Sequence, residues 1–574
     1  MKTVKGSHLK NGTVNRQVPA AEVHGEDPGD LNLTLWDIFS NTASRHPNRE
    51  ALVSMWQSPW SREPKKSASR SKKEGNNLRW TYLDLLKKSE RVAISLEKLG
   101  CRKSMRLAAI LWNSSEWALF FWVAAKLGLV FCPIDPRNQH EAQDVLGSLN
   151  PGIVVVQDAD GATLVNATEH GCSEPAIYIQ CSETPVDGWV GLDNVFSGEH
   201  MLLSFPRRVC DGDSSEILQN DALIIFTSGT NGRPKGCPHS NANLMAQTSD
   251  YDPNLDVEFV DRWLIHTPVS HIFAVNNALR AWRYGGAVVF PSRAFDVEST
   301  AHALVQEKCT IMSATPTLVR ALLAHPSCPT PQDMSLSMIS IAATKITAKD
   351  IRLCRKQLGA KDTVQAYGMS EGAPLISWSR RDKLFQERPD RGVGKVLPGA
   401  SIRVCHPTTG RVLDLHEVGE LHVSGPSVIA GYLNHAETDT FYEDNAGRWL
   451  ATGDQAIITD NGVVEILGRY KDLIIRGGEN LNPMRIEEAL VDIKGVQVSS
   501  LSREAGSSPN DSRLGWSARR TLSLGRFPSQ LHSSPKEYQK PSCTKKRPIS
   551  VPSMFLVEYI LLISSSLKTF RGHR

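Results

Sequence analysis

The densest chemistry in the 574-residue chain lies at 223–236, LIIFTSGTNGRPKG. The apolar run Leu223 to Phe226 reads as a buried strand. It delivers Thr227, Ser228, Gly229, Thr230, Asn231, Gly232, Arg233, Pro234, Lys235 and Gly236. Hydroxyls, exposed amides and two cations fall together there. Glycines permit the positive φ angles that turn successive N–H groups inward. Such a nest can hold polyphosphate oxygens, with Lys235 as the point charge. A Walker loop needs Gly-Lys followed by Ser or Thr. Here Pro234 separates Arg233 from Lys235, and Gly236 follows. A Rossmann fingerprint is excluded too, because no GxGxxG is present. Taken alone, a Gly/Ser/Thr loop also fits a flexible turn.

Further segments follow in order. PVSHIF at 268–273 carries His271, which alone reads as a packed core residue. QAYGMSE at 365–371 offers a flat ring, a hydroxyl and a hard carboxylate; alone it reads as a helix N-terminus. Gly419 to Tyr432 reads as a strand pair and turn serving as scaffold. WLATGD at 449–454 ends on Asp454, which alone is an Asp in a turn. GRYKDLIIRGGENLNP occupies 468–483. Together and in this order, these segments resemble the adenylate-forming (AMP-binding) superfamily of acyl-CoA synthetases and aryl-CoA ligases. The resemblance runs from about residue 30 to 490.

The resemblance implies roles. Thr227, Ser228, Thr230 and Lys235, with Gly229 and Gly232, would hold the phosphates of ATP. His271 would border the acyl pocket and thiol tunnel. Tyr367 would lie against adenine, Ser370 would contact the α-phosphate and Glu371 would help hold Mg²⁺. A hard carboxylate suits Mg²⁺ bridging phosphates. Asp454 would accept hydrogen bonds from the ribose hydroxyls, and Arg469 would reach ribose and phosphate. Lys471 matches a hinge about which a small C-terminal lid swings. Gly477 and Gly478 match the loop that lets the pantetheine of CoA approach the backbone. Thr227, Lys235, Glu371 and His271 are the catalytic candidates.

Two departures stand out. The Gly-Gly-rich stretch expected near the adenine reads Ile341-Ala342-Ala343-Thr344-Lys345. Alanine permits close approach but not a positive φ at low cost. The C-terminal lysine segment of the Pro-Lys-Thr-x-x-Gly-Lys type is not found. Its nearest counterpart, KPSCTKKRP at 540–548, lacks the glycine and the spacing. Residues 501–574 hold 13 Lys/Arg, four Asp/Glu and 15 serines, a local net charge of +9. The whole chain is +4, so the first 500 residues sum to −5. This change of texture predicts that the tail departs from the ancestral reading frame; a functional basic tail is the competing reading.

The elements that must position these residues are also legible. At ~150 residues per domain the length allows about four domains. Hydrophobic residues at 40% and charged residues at 22% fit a globular chain, and the small net charge argues against a nucleic-acid binder. Eleven cysteines without a CxxC pair disfavour a disulfide scaffold or zinc module and fit a cytoplasmic setting. The polar N-terminus reads as no signal peptide, and the final Gly-His-Arg does not match a peroxisomal signal. WALFFWVAAKLGLVFCPI at 117–134 has about the length of a membrane span. Lys126 and Gly128 interrupt it and Pro133 ends it, which predicts a buried helix running into a buried strand. Thr81 caps a helix that ends at Gly100. Apolar runs at 152–156, 176–180, 222–226, 286–290, 310–314 and 336–341 alternate with helical stretches, the pattern of a parallel α/β protein. From Gly392 to Gly468 short strands with Gly turns predict a β-rich subdomain.

The expected fold class is therefore α/β: a large, multi-subdomain N-terminal adenylate-forming domain (30–467), after a disordered start (1–29). A truncated lid remnant (468–500) and an atypical basic, Ser-rich tail (501–574) would follow. The expected activity is ATP-dependent ligation of a carboxylic acid, fatty or aryl, to CoA through acyl-AMP. ATP, Mg²⁺ and CoA are the cofactors, with a carrier-protein thiol as alternative acceptor and no nucleic acid or membrane span. The alternatives are an impaired ATP- or acyl-AMP-binding protein, and a stand-alone enzyme loading a carrier protein in a biosynthetic pathway.

Overall fold

The computed structural model describes residues 20–29, 31–60, 77–167, 177–197, 221–227, 234–249, 261–343, 346–389, 391–435, 440–472, 474–476, 479–481, 501–503 and 516–518. The chain divides into two compact units, Met1–Tyr470 and Lys471–Arg574.

Two α/β sheets and one antiparallel sheet build the first unit. In the seven-stranded sheet, Asp221–Thr227, Val130–Ile134, Arg106–Ile110, Ile153–Val156, Ile177–Gln180 and Val190–Gly191 run parallel. Lys235–Ser240 closes one edge antiparallel. In the nine-stranded sheet a parallel centre (Asp362–Met369, Met338–Ile341, Ile311–Ala314, Arg262–Ile265, Ala287–Phe290, Glu50–Ser54) is flanked by antiparallel neighbours on both sides. The central strands are continuous apolar runs because both faces are covered by helices. The third sheet, antiparallel, is built chiefly of Ser401–Cys405, Gly419–Ser424, Gly447–Ile458 and Val464–Arg469, in the Gly-turn region.

The long apolar stretch is a helix, Ser115–Leu127, followed by the strand Val130–Ile134. Ser114 caps the helix and Gly128 ends it in the left-handed conformation, φ +64°. The helix is buried from Ser115 to Ala124 because it is apolar around its circumference. Trp117 meets Phe131 of the seven-stranded sheet and Phe290 of the nine-stranded sheet, each at a ring-centroid distance of 6.2 Å. One helix thus joins the cores of both sheets. At Thr81 a reciprocal pair of hydrogen bonds with Asp84 starts the helix Tyr82–Lys98. Among the described residues no helix is long and apolar enough to cross a membrane.

Candidate active site

The glycine–hydroxyl loop joins two strands. Asp221–Thr227 pairs antiparallel with Lys235–Ser240, and Thr227 faces Lys235 in the register. The loop therefore springs from two facing residues, both half-buried. Ser228, Gly229, Thr230 and Gly232 lie outside the described residues. Gly236 has no room for a side chain: a Cβ there would sit 2.9 Å from the Leu433 side chain and 3.2 Å from Phe226. This close approach brings the Leu433 region against Lys235, whose Nζ lies 5.4 Å from the centre of the Tyr432 ring.

Glu371 sits in a second hairpin, not at a helix N-terminus. Met369 pairs with Gly372 across the strands Asp362–Met369 and Gly372–Ser377, leaving Ser370 and Glu371 as the turn. Gly372 is required there, since a Cβ would lie 2.8 Å from the Ser427 carbonyl oxygen. Glu371 is only 8% exposed, and its carboxylate accepts a hydrogen bond from the Tyr432 hydroxyl. Its carbonyl accepts from the Ile429 N–H at 2.9 Å. Tyr432, expected to be scaffold, thus contacts both Lys235 and the Glu371 carboxylate. No group of three or more His, Cys, Asp or Glu among the described residues forms a metal cage. A lone, nearly buried carboxylate fits Mg²⁺, which is commonly held by one or two carboxylates plus substrate phosphates.

The residues expected to meet the nucleoside form a connected cluster. The Tyr367 hydroxyl donates to Asp454 Oδ2 at 2.6 Å, and Arg469 Nε donates to Asp454 Oδ1 at 2.9 Å. Asp454 and Arg469 are also partners across Gly447–Ile458 and Val464–Arg469. Asp454 lies in a strand rather than a turn and is 5% exposed. Burial, and then the Asp454 carboxylate, push the Tyr367 phenol well above its usual range, so it stays a donor. The Arg469 side chain is 60% exposed and faces solvent.

His271 stands apart from these clusters within the first unit. His271 is the N-cap of the helix Ile272–Arg283 and is exposed. Asp135 and Arg137 act on it electrostatically. Its described hydrogen bonds are main-chain ones at the helix start, so they do not tie it to the nucleotide side. Lys471 is exposed in a short 3-10 turn, Tyr470–Asp472. Gly477 and Gly478 lie outside the described residues, although Ile474–Arg476 and Glu479–Leu481, which flank them, pair antiparallel. Ala343, in the altered Gly-Gly stretch, does adopt a positive φ, +77°.

The chain belongs to the AMP-binding enzyme family, whose pattern matches residues 39–433. It is 26% identical over 490 residues to the acyl-CoA ligase sidI of Aspergillus fumigatus, covering 82% of this chain and 78% of that one. It is 25% identical to the mitochondrial medium-chain acyl-CoA ligase ACSF2 of Mus musculus, covering 85% and 80%. Its fold is similar to that of ATP-bound MatB from Rhodopseudomonas palustris, with TM-score 0.64, 23% identity and coverage of 82% and 85%. It is similar also to that of the O-succinylbenzoate coenzyme A synthetase MenE of Bacillus subtilis in complex with AMP, with TM-score 0.62, 23% identity and coverage of 83% and 86%.

Proposed function

We propose that this chain is an ATP-dependent carboxylic acid–CoA ligase acting on a fatty or aryl acid. The observation that carries the reading is the pairing of a tied nucleoside cluster, Tyr367–Asp454–Arg469, with a phosphate-side cluster, Lys235–Tyr432–Glu371, in one unit. The acid's carboxylate oxygen attacks the α-phosphorus of ATP, and pyrophosphate leaves. A thiolate, CoA's or a carrier protein's, then attacks the acyl carbonyl and AMP leaves. Positioning and charge neutralisation dominate such a reaction. Lys235 and the loop it closes balance the leaving pyrophosphate, while Ser370 lies at the α-phosphate. Glu371 would hold Mg²⁺, which neutralises phosphate charge when bound. Asp454 takes the ribose diol, with Tyr367 and Arg469 fixing its two oxygens. His271 borders the acid and thiol path. Gly477 and Gly478 receive the pantetheine, and Lys471, the first residue of the second unit, serves as the hinge.

The test is acid-dependent pyrophosphate release from Mg-ATP with a panel of fatty, aryl and amino acids, followed by thioester detection after CoA is added. Release with fatty or aryl acids and thioester formation are expected. ATP binding without release for any acid replaces this reading with a nucleotide-binding protein.

A further inference from the structure

Behind the Ser370–Glu371 turn lies a buried polar relay that sequence reading did not single out. His239 Nε2 meets the Ser370 carbonyl oxygen at 2.8 Å, so that nitrogen must carry the proton and donate. The other ring nitrogen, Nδ1, lies 3.2 Å from Gln247 Nε2 and accepts from it. Gln247 Nε2 also donates to the Ser427 carbonyl at 2.8 Å. Gln247 Oε1 accepts from Asn276 Nδ2 at 2.8 Å, and the same amide donates to the Ala373 carbonyl. His239, Gln247 and Asn276 are each no more than 1% exposed.

We propose that His239, Gln247 and Asn276 are positioning residues that set where Glu371 presents its carboxylate to Mg-ATP; this rests on the assignment of Glu371 as the Mg²⁺ carboxylate. Two of the three carbonyls they hold, Ser370 and Ala373, bracket Glu371. The relay also spans the two α/β sheets. His239 is on the strand Lys235–Ser240 of the seven-stranded sheet, four residues beyond Lys235. The turn it holds belongs to the nine-stranded sheet. One strand therefore delivers the phosphate-side lysine and holds the metal-side carboxylate in register with it. Asn276 extends the tie to the helix that His271 begins. Asn276 Oδ1 has no hydrogen-bond partner among the described residues. A buried, unsatisfied acceptor is costly, and an apolar side chain of similar size would avoid that cost. The two bonds of its Nδ2 are what the asparagine offers in return.

The test compares His239→Phe, which keeps a ring but removes the donor, with His239→Gln, whose amide can donate from a similar place. Asn276→Leu serves as a second, independent variant where His239→Phe does not fold. Full-length variants are titrated with Mg²⁺ while ATP binding is followed at equilibrium. ATP binding in EDTA, urea unfolding and the KM for the acid are measured alongside. His239→Phe and Asn276→Leu are expected to need about tenfold more Mg²⁺ for half-maximal ATP binding. Binding in EDTA and the acid KM should stay within about twofold of wild type. His239→Gln should recover most of the Mg²⁺ response. An unchanged Mg²⁺ dependence in folded His239→Phe or Asn276→Leu overturns the proposal, as does a Gln variant no better than Phe. Mg²⁺-linked ATP binding by a wild-type chain that releases no pyrophosphate overturns the ligase reading but leaves the comparison of variants decisive. A wild-type chain without Mg²⁺-linked ATP binding overturns both.

Discussion

The proposed nucleoside and phosphate ends of the site are built differently. At the nucleoside end the functional side chains hold one another: Asp454 accepts from Tyr367 and Arg469 directly. At the proposed phosphate end Tyr432 contacts both Lys235 and Glu371, and buried side chains hold the main chain around Glu371. A self-tied cluster is broken by changing any member. A carboxylate held through its own main chain is displaced by changes that never touch it. Substitutions at the two ends should therefore differ in kind as well as size.

The largest effect is expected at Glu371. Glu371→Gln removes the charge but keeps the shape, and losing one preorganised charge-stabilising group typically costs ~3–4 kcal/mol, or 10²–10³ in rate. kcat for pyrophosphate release should fall by that factor with the acid KM little changed. At the nucleoside end Asp454→Asn presents an amide N–H to one of two donors. A loss of about 2 kcal/mol is expected, the middle of the range for a hydrogen bond involving a charged group. It should appear as a KM for ATP raised tenfold or more. A sharper check uses 2′-deoxy-ATP: wild type should discriminate against it and Asp454→Asn should not. Equal discrimination in both would detach Asp454 from the ribose.

A pH experiment separates the two ends through stability. Burial pushes His239, behind the phosphate end, and His266 down to about 4. In the unfolded chain a histidine titrates near 6.5. Between these values the unfolded chain binds more protons than the folded one, so stability falls as pH drops through that window. Asp221, raised by burial to about 6, binds its proton more readily when folded and offsets part of the loss. A net loss of about 2 kcal/mol between pH 6.5 and 5 is expected, at 1.36 kcal/mol per pH unit and proton. Urea unfolding across that range checks it. His239→Gln should remove about half of the histidine-driven slope, and an unchanged slope would assign it elsewhere.

Much of the frame was readable because it depends on local pattern. Apolar runs such as those at 153–156 and 287–290 became central strands, and Thr81 with Asp84 carried the capping signal within three residues. Candidate residues inside family segments were legible too, and the structure links Tyr367, Asp454 and Arg469 as well as Glu371 and Tyr432. Long-range pairing was not readable. His239 and Ser370 are 131 positions apart, and Glu371 and Tyr432 are 61 apart. No periodicity relates such positions; only the strand order does. The antiparallel turn at Ser370–Glu371 was missed for a related reason. A short Gly-rich segment fits a helix start as well as a hairpin until its partner strand is known.

Tyr432 offers a milder cut at the phosphate end. Tyr432→Phe keeps the ring beneath Lys235 and removes only the hydrogen bond to Glu371. About 1 kcal/mol is expected, the typical net contribution of one hydrogen bond. A three- to tenfold rise in the Mg²⁺ needed for half-maximal pyrophosphate release would show it. No change would leave the main-chain relay as the only support of Glu371.

The smallest effect concerns the stretch expected beside the adenine. Ala343 is exposed and held at φ +77°, so the altered sequence keeps a left-handed backbone without the glycine that would make it cheap. For an L-residue with a Cβ, that conformation costs roughly 1–2 kcal/mol. Ala343→Gly removes this cost but loosens the unfolded chain, at ~0.4–1 kcal/mol. The balance favours glycine by about 0.5 kcal/mol. Urea unfolding should show Ala343→Gly slightly more stable than wild type, and Ala343→Val, with a branched Cβ, clearly less stable. The KM for ATP should barely move in the glycine variant, because the backbone already has the shape glycine prefers. A large drop in that KM would instead mean that alanine distorts the adenine side. The contrast between the ends would then shift, with the nucleoside end limited by backbone strain rather than by its side-chain cluster.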